Sequence, residues 1–274
     1  MTTRKLPSGA TIVSFGADSA GRPAIARAHN FVVEWIDRPE RPSSAQSANE
    51  MILLLAGGAA RIDDGIGETT LEGPSVAIAP PGHLTATLVS GGPLVLIATD
   101  RADLDGNLGG RRDDRIAPIG APFARRQPLD RLLVVPFDAI PDPSGNPRIR
   151  FFQSATMSVN IVRYQGARDT GSLSPHAHKD IEQGTLAING RYVHHLRTPW
   201  GRDMADWRED EHVEVGPATL LLIPPELVHT TQGVGEESHL LIDIFAPPRR
   251  DFIARGWMAN AGDYRDPLGE NGPQ

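Results

Sequence analysis

The sequence predicts an all-β protein assembled from two copies of one β domain. Three observations carry this. Apolar runs are of strand length and are broken by turns, in a chain with 28 Gly and 24 Pro among 274 residues. Aromatic residues make up only 5%. The two halves also repeat a single plan.

The elements follow in order. Strand-like runs at 31–36, 51–56, 75–79 and 93–98 form the first half, with Pro80-Pro81-Gly82 as its clearest turn. Residues 101–130 change character. Their Asp-Gly and Gly-Gly pairs, Arg/Asp cluster at 111–115 and prolines read as a surface connection. Runs resume at 132–137, 148–164, 181–188, 191–197, 218–223 and 239–245. A short helix is expected at 251–257, ahead of a polar, loosely held end. The expected division is 1–105 for the first β domain, 106–145 for the connection, 146–250 for the second domain and 251–274 for the helix and tail.

The repeat is read from two pairs of segments. Glu50 and the apolar strand after it match Glu182 and its strand at an offset of 132 residues. Gly73-Pro74 through Pro80-Pro81 match Gly216-Pro217 through Pro224-Pro225, and Pro80 and Pro224 are 144 residues apart. The extra residues of the second copy fall in 194–215, which includes the acidic stretch 206–211.

Composition narrows the function classes. Net charge is -7, so phosphate binding to nucleic acid has no electrostatic support. No run approaches the about 20 apolar residues that cross a bilayer, and residues 1–15 show no secretory signal pattern, so a cytoplasmic protein with neither membrane nor nucleic-acid partner is expected. Cysteine is absent, which removes thiolate ligands, disulfides and a Cys nucleophile. A transition metal would have to be held by imidazole and carboxylate.

The second half carries such a set. His176, His178 and Glu182 are evenly spaced, and alternation along a strand would aim all three to one side. Asn189-Gly190 supplies a hairpin turn, and 218–223 leads through Pro224-Pro225 to His229. Three imidazoles and a carboxylate suit one divalent ion: Fe(II), Mn(II), Ni(II), Co(II) or Zn(II). They leave positions open for substrate or water.

These residues resemble the cupin superfamily. The first motif is Gly171-x4-His176-x-His178-x3-Glu182-x7-Gly190, and the second is Gly216 through Pro224-Pro225-x3-His229. The flanking glycines are displaced by a residue or two, and Glu226 stands where the family has glycine. With the repeat, the resemblance covers nearly the whole chain and implies a bicupin. Its fold would be two tandem cupin (double-stranded β-helix, or jelly-roll) barrels of six to eight strands each, with the metal site in the C-terminal one only. In the first half the ligand positions become Ser44, Gln46, Glu50 and Thr85, of which only the glutamate is a good ligand, and His83 lies two positions short.

Hairpin arithmetic extends the expected pocket. A two-residue turn at Asn189-Gly190 would pair Glu182 with Arg197 and Gly184 with His195. His195 and Arg197 are therefore the catalytic candidates, as acid/base and as carboxylate clamp, with Gly184 leaving room opposite His195. Arg197 has a second reading as the partner that orients Glu182, and a one-residue slip would exchange His195 for His194. Gln183 is expected to face away from the metal, and Asp243 to orient a ligand histidine. Trp200 and Trp207 read as surface packing in an insertion that could form a lid, His212 as a solvated residue, and Arg249-Arg250-Asp251-Phe252 as a helix start with surface charges that could serve a subunit contact.

The resemblance implies several activities. The first reading is an Fe(II)-dependent dioxygenase acting on a small carboxylate-bearing molecule. The alternatives are a metal-dependent isomerase or lyase of a sugar acid, similar to the 5-keto-4-deoxyuronate isomerases, and a non-catalytic binding or sensing cupin. A homodimer or larger homo-oligomer is expected.

Overall fold

A computed structural model describes residues 1–16, 23–104 and 113–269. Strands hold 49% of the chain and helices 7%, and the sheets are antiparallel. The expected all-β class is observed. The segment 106–112, within the expected connection, and residues 270–274, within the expected tail, lie outside the described residues.

The first β unit is an eight-stranded sheet. It comprises Ala24–Arg27, Val32–Ile36, Pro42–Ser47, Met51–Asp63, Glu68–Ala79, Gly82–Gly91 and Leu94–Ala98, completed by Leu133–Pro136. The second unit has a seven-stranded sheet and, apart from it, a three-stranded one. The larger runs Thr2–Lys5, Thr11–Ser14, Thr219–Ile223, Gln183–Asn189, Ser238–Phe245, Ser158–Gln165, Ile149–Gln153. The smaller runs Glu211–Val215, Arg191–Arg197, Val228–Val234.

Two strand assignments differ from the division by sequence position. Thr11–Ser14 pairs with Thr219–Ile223, with Val13 opposite Leu220, so the first strands belong to the sheet of the second unit. Leu133–Pro136 pairs with Glu68–Ala79, with Leu133 opposite Ile78, so this part of the connection completes the first unit. Each half lends an edge to the other. The terminal helix is shorter than expected, Arg250–Ala254. The tail after it is tied down: Tyr264–Arg265 pairs with Ala124–Arg125, and the Tyr264 hydroxyl donates to Glu50 at 2.8 Å.

Alternation explains why the central strands are apolar on both faces. In Met51–Asp63, Ile52 and Leu54 enter an apolar core shared by both units, while Met51, Leu53 and Leu55 enter a core internal to the first. In Thr219–Ile223, Leu220 and Leu222 face the shared core, while Leu221 and Ile223 face the interior of the second. The two large sheets thus pack back to back, and a strand buried on both sides reads as a continuous apolar run.

The same parity places Gln183–Asn189. Leu186 and Ile188 face the shared core. Gly184 lies on that face as well, where an added Cβ would meet Phe31 Cζ at 2.8 Å. Gly184 therefore admits an aromatic ring from the first unit and leaves no room for His195. Gln183 and Thr185 point the other way, toward His178 and Asp243.

Candidate metal centre

The segment that carries His176 and His178 is not a strand. A single antiparallel bridge links His176 to His229, with backbone N–H···O distances of 3.1 and 2.8 Å in the two directions. The chain then bends at Lys179-Asp180, and regular pairing begins only at Gln183. The Glu226 amide donates to the His178 carbonyl at 2.6 Å, which fastens this segment to the turn before Val228–Val234. Glu226 keeps the left-handed conformation that glycine would supply, φ 68°.

His176, His178 and His229 converge. Their ring centroids lie 4.5 to 5.4 Å apart, and one nitrogen from each falls within 4.8 Å of the others. Among the described residues, this is the group of three titratable side chains arranged to share an ion. His176 Nδ1 lies 2.9 Å from the Ser174 carbonyl and His229 Nδ1 lies 2.9 Å from the Leu227 carbonyl. Those acceptors hold the proton on Nδ1 and turn the Nε2 lone pair inward. Burial, reinforced by the Arg249 charge, pushes His178 down to about 3. Burial also pushes His229 down to about 4, against the Leu227 hydrogen bond. Both are neutral at physiological pH, the form that binds a metal. The donor set therefore fits a divalent transition ion.

Glu182 does not join this group. Its carboxylate accepts from the His29 amide at 2.8 Å and lies 2.9 Å from His29 Nδ1. The even spacing 176, 178, 182 misleads because the bend at 179–180 breaks the alternation. Gln183 takes the inward place instead, with Oε1 2.9 Å from His178 Nε2 and 3.1 Å from His229 Nε2.

His195 and Arg197 are also relocated. Gln183–Asn189 pairs with Thr219–Ile223 and Ser238–Phe245, whereas Arg191–Arg197 pairs with Glu211–Val215 and Val228–Val234. The chain crosses between sheets at Asn189-Gly190, so the hairpin arithmetic has no pairing to act on. Tyr192, His194 and Leu196 point inward and are buried. His195 lies outside, its Nδ1 2.7 Å from His212 Nδ1 and its Nε2 3.1 Å from Gln232 Oε1. Arg197 is exposed and pairs with Asp210 at 2.5 Å. The inward His194 sits 2.9 Å from Thr231 Oγ1, and burial pushes it down to about 3.

Residues outside the predicted catalytic and ligand set shape the pocket. A cavity of about 560 Å3 opens on the histidines, lined also by Gln183, Asp243, Arg148, Arg168, Arg249 and Arg255. Asp251 grips Arg249 through two hydrogen bonds of 2.7 and 2.6 Å, and Phe252 lies 4.0 Å beneath its guanidinium. The remaining nitrogen, Nη1, lies 3.4 and 3.5 Å from the His178 ring nitrogens. The signal in the sequence was Arg249-Arg250-Asp251-Phe252, which the chain places beside the three histidines and not only on the surface.

In the first unit the corresponding positions are otherwise engaged. Ser44 Oγ and Thr85 Oγ1 lie 3.3 Å apart, and Gln46 is paired with His83 across two strands. Glu50 accepts from Arg125, Tyr264 and the Ala155 amide at 2.9, 2.8 and 2.9 Å.

No model of a known protein family matches the chain, and no curated protein sequence matches it. Solved structures do resemble it. An oxalate decarboxylase of Lactobacillus farciminis, described as a formate complex, superposes with a TM-score of 0.56 at 12% identity, over 87% of this chain and 86% of that one. AerE from Microcystis aeruginosa superposes with a TM-score of 0.53 at 11% identity, over 89% and 96%. An oxalate decarboxylase of Bacillus subtilis, described by its Mn(II) centers, gives 0.50 at 11% identity, over 87% and 72%. At such identities the likeness establishes the fold: an all-β, cupin-type protein. The three-histidine group makes it a candidate metal-binding cupin.

Proposed function

We propose that this chain is a bicupin enzyme that uses one divalent metal ion to act on a small carboxylate-bearing substrate. One observation carries the proposal: the cavity above His176, His178 and His229 is lined by four arginines against two aspartates, Asp243 and Asp251. The chain as a whole has net charge -7, so this concentration of guanidinium groups is local. Arg249 is held 3.4 Å from His178. Asp251 and Phe252 fix its plane, and Nη1 remains to receive a carboxylate oxygen.

A bound ion would be held by the three imidazoles and would supply Lewis-acid polarisation of a substrate oxygen. Fe(II)-dependent oxygenation is the first reading. An isomerase needs a base that moves a proton, and His195, the imidazole expected in that role, faces outward. A non-oxidative lyase is the second reading. It is favoured by the structural neighbours, oxalate decarboxylases described with formate and with Mn(II) centers.

Elemental analysis of purified protein, followed by an oxygen-electrode screen of small mono- and dicarboxylates, tests the proposal. Iron with substrate-dependent oxygen uptake supports the oxygenase. Manganese with turnover and no net oxygen uptake supports the lyase. A protein that carries no ion and is activated by none overturns both.

A further inference from the structure

We propose that Gln183 is the fourth donor of the centre, locked in that role by Asp243 and Thr185, so that a bound ion is held by neutral groups alone and keeps its full positive charge for an anionic ligand. The inference rests on the metal reading above.

Two acceptors face each other in the centre. His229 Nδ1 is committed to the Leu227 carbonyl at 2.9 Å, which requires the proton there. A neutral imidazole has one such proton, so His229 Nε2 presents a lone pair. Facing it at 3.1 Å is Gln183 Oε1, also an acceptor, which lies 2.9 Å from His178 Nε2 as well. His229 Nε2 thus lacks a donor in this oxygen, and a cation among the three histidines would bind both lone pairs.

The Gln183 amide cannot turn round to remove the mismatch. Gln183 Nε2 donates to Thr185 Oγ1 at 2.8 Å and to Asp243 Oδ1 at 3.1 Å. The Thr185 hydroxyl donates to the same Asp243 oxygen at 2.8 Å, and Asn160 Nδ2 donates to the other at 3.1 Å. Asn160, Asp243 and Thr185 are direct cross-strand partners on three adjacent strands, so the row is rigid. A flipped amide would set its oxygen against the Asp243 carboxylate. Asp243 is thus a positioning residue that acts through Gln183.

Charge points the same way. The carboxylate expected in the ligand set, Glu182, is held by His29 in the opposite direction. With imidazoles and an amide as donors, no ligand charge offsets the dication. Arg249 adds a positive group 3.4 Å from His178. Such a centre favours an anion in its open positions.

The test uses the full chain and Mn(II) alone, read by titration calorimetry and by the Mn(II) electron paramagnetic resonance spectrum. Gln183→Leu should weaken Mn(II) binding by about 10–100-fold and alter the spectrum. Asp243→Asn should weaken binding in the wild-type background and add little in Gln183→Leu, because its effect passes through the amide. The exchange Gln183→Glu with Asp243→Asn moves the one negative charge onto the donor while keeping a hydrogen bond between the pair. It should bind Mn(II) at least as tightly as wild type, and the loaded protein should bind acetate more weakly. Unchanged affinity and spectrum in Gln183→Leu would overturn Gln183 as a donor. Additive effects of the two single changes would overturn the positioning role of Asp243. A wild-type chain that takes up no Mn(II), Fe(II) or Zn(II) would overturn the metal reading itself.

Discussion

Glu182 turns its carboxylate onto His29, with 2.8 Å to the His29 amide and 2.9 Å to Nδ1, and so ties the second β unit to the first. The motif position that resembles a metal ligand is a structural link. Glu182→Ala should therefore leave Mn(II) affinity within about threefold of wild type. It should also lower unfolding free energy by about 1–3 kcal/mol, because the His29 amide loses its acceptor in a partly buried setting. Calorimetric metal titration and urea denaturation read the two effects separately. A loss of metal with unchanged stability would restore Glu182 to the ligand set.

Arg249 should separate anion binding from metal binding. Arg249→Ala removes a positive charge 3.4 Å from His178, so Mn(II) should bind more tightly. It also removes the guanidinium that Asp251 and Phe252 hold in place, so acetate or oxalate should bind the loaded protein about tenfold or more weakly. The opposite signs are the diagnostic feature. A mere packing defect from lost contact with Phe245 and Phe252 would weaken both.

Asp64 gives a pH-dependent prediction far from the site. Burial alone would raise its carboxyl, but amides of Ile66, Gly67 and Leu132 donate to it and hold it below the usual 3.8. A carboxyl depressed in the folded state stabilises above its unfolded pKa of about 3.9 and loses that contribution as pH falls through the folded value. Asp64→Asn should thus be less stable than wild type at pH 7, with the difference shrinking below about pH 4. Urea midpoints at pH 7, 5 and 3.5 check this, and a difference independent of pH would contradict it.

Much of this was legible in the sequence because it rests on composition and local pattern. The strand runs and the turn at Asn189-Gly190 follow from short-range signals, and the convergence of His176 and His178 with the distant His229 was legible through the two motifs that resemble the cupins. What failed depended on where strands go after a turn. Counting across 176–182 assumed one strand, but the bend at 179–180 shifts the parity and exchanges Glu182 for Gln183. Counting across Asn189-Gly190 assumed a hairpin, but the chain changes sheets there and exchanges His195 for His194. Gly184 read as empty space in a pocket, yet it faces Phe31 from the other unit. Such a relation depends on packing between distant segments, which no local spacing encodes. Arg249 was visible but unplaced, since only the packing of the terminal segment brings it to His178.

The most direct test of the central claim is the stoichiometry of divalent metal in wild type and His178→Ala, measured on protein whose fold is confirmed by circular dichroism. The three-histidine centre predicts one ion per wild-type chain and none in the variant, with the spectrum unchanged. A wild-type chain that binds no ion, or a variant that keeps its occupancy, would contradict it.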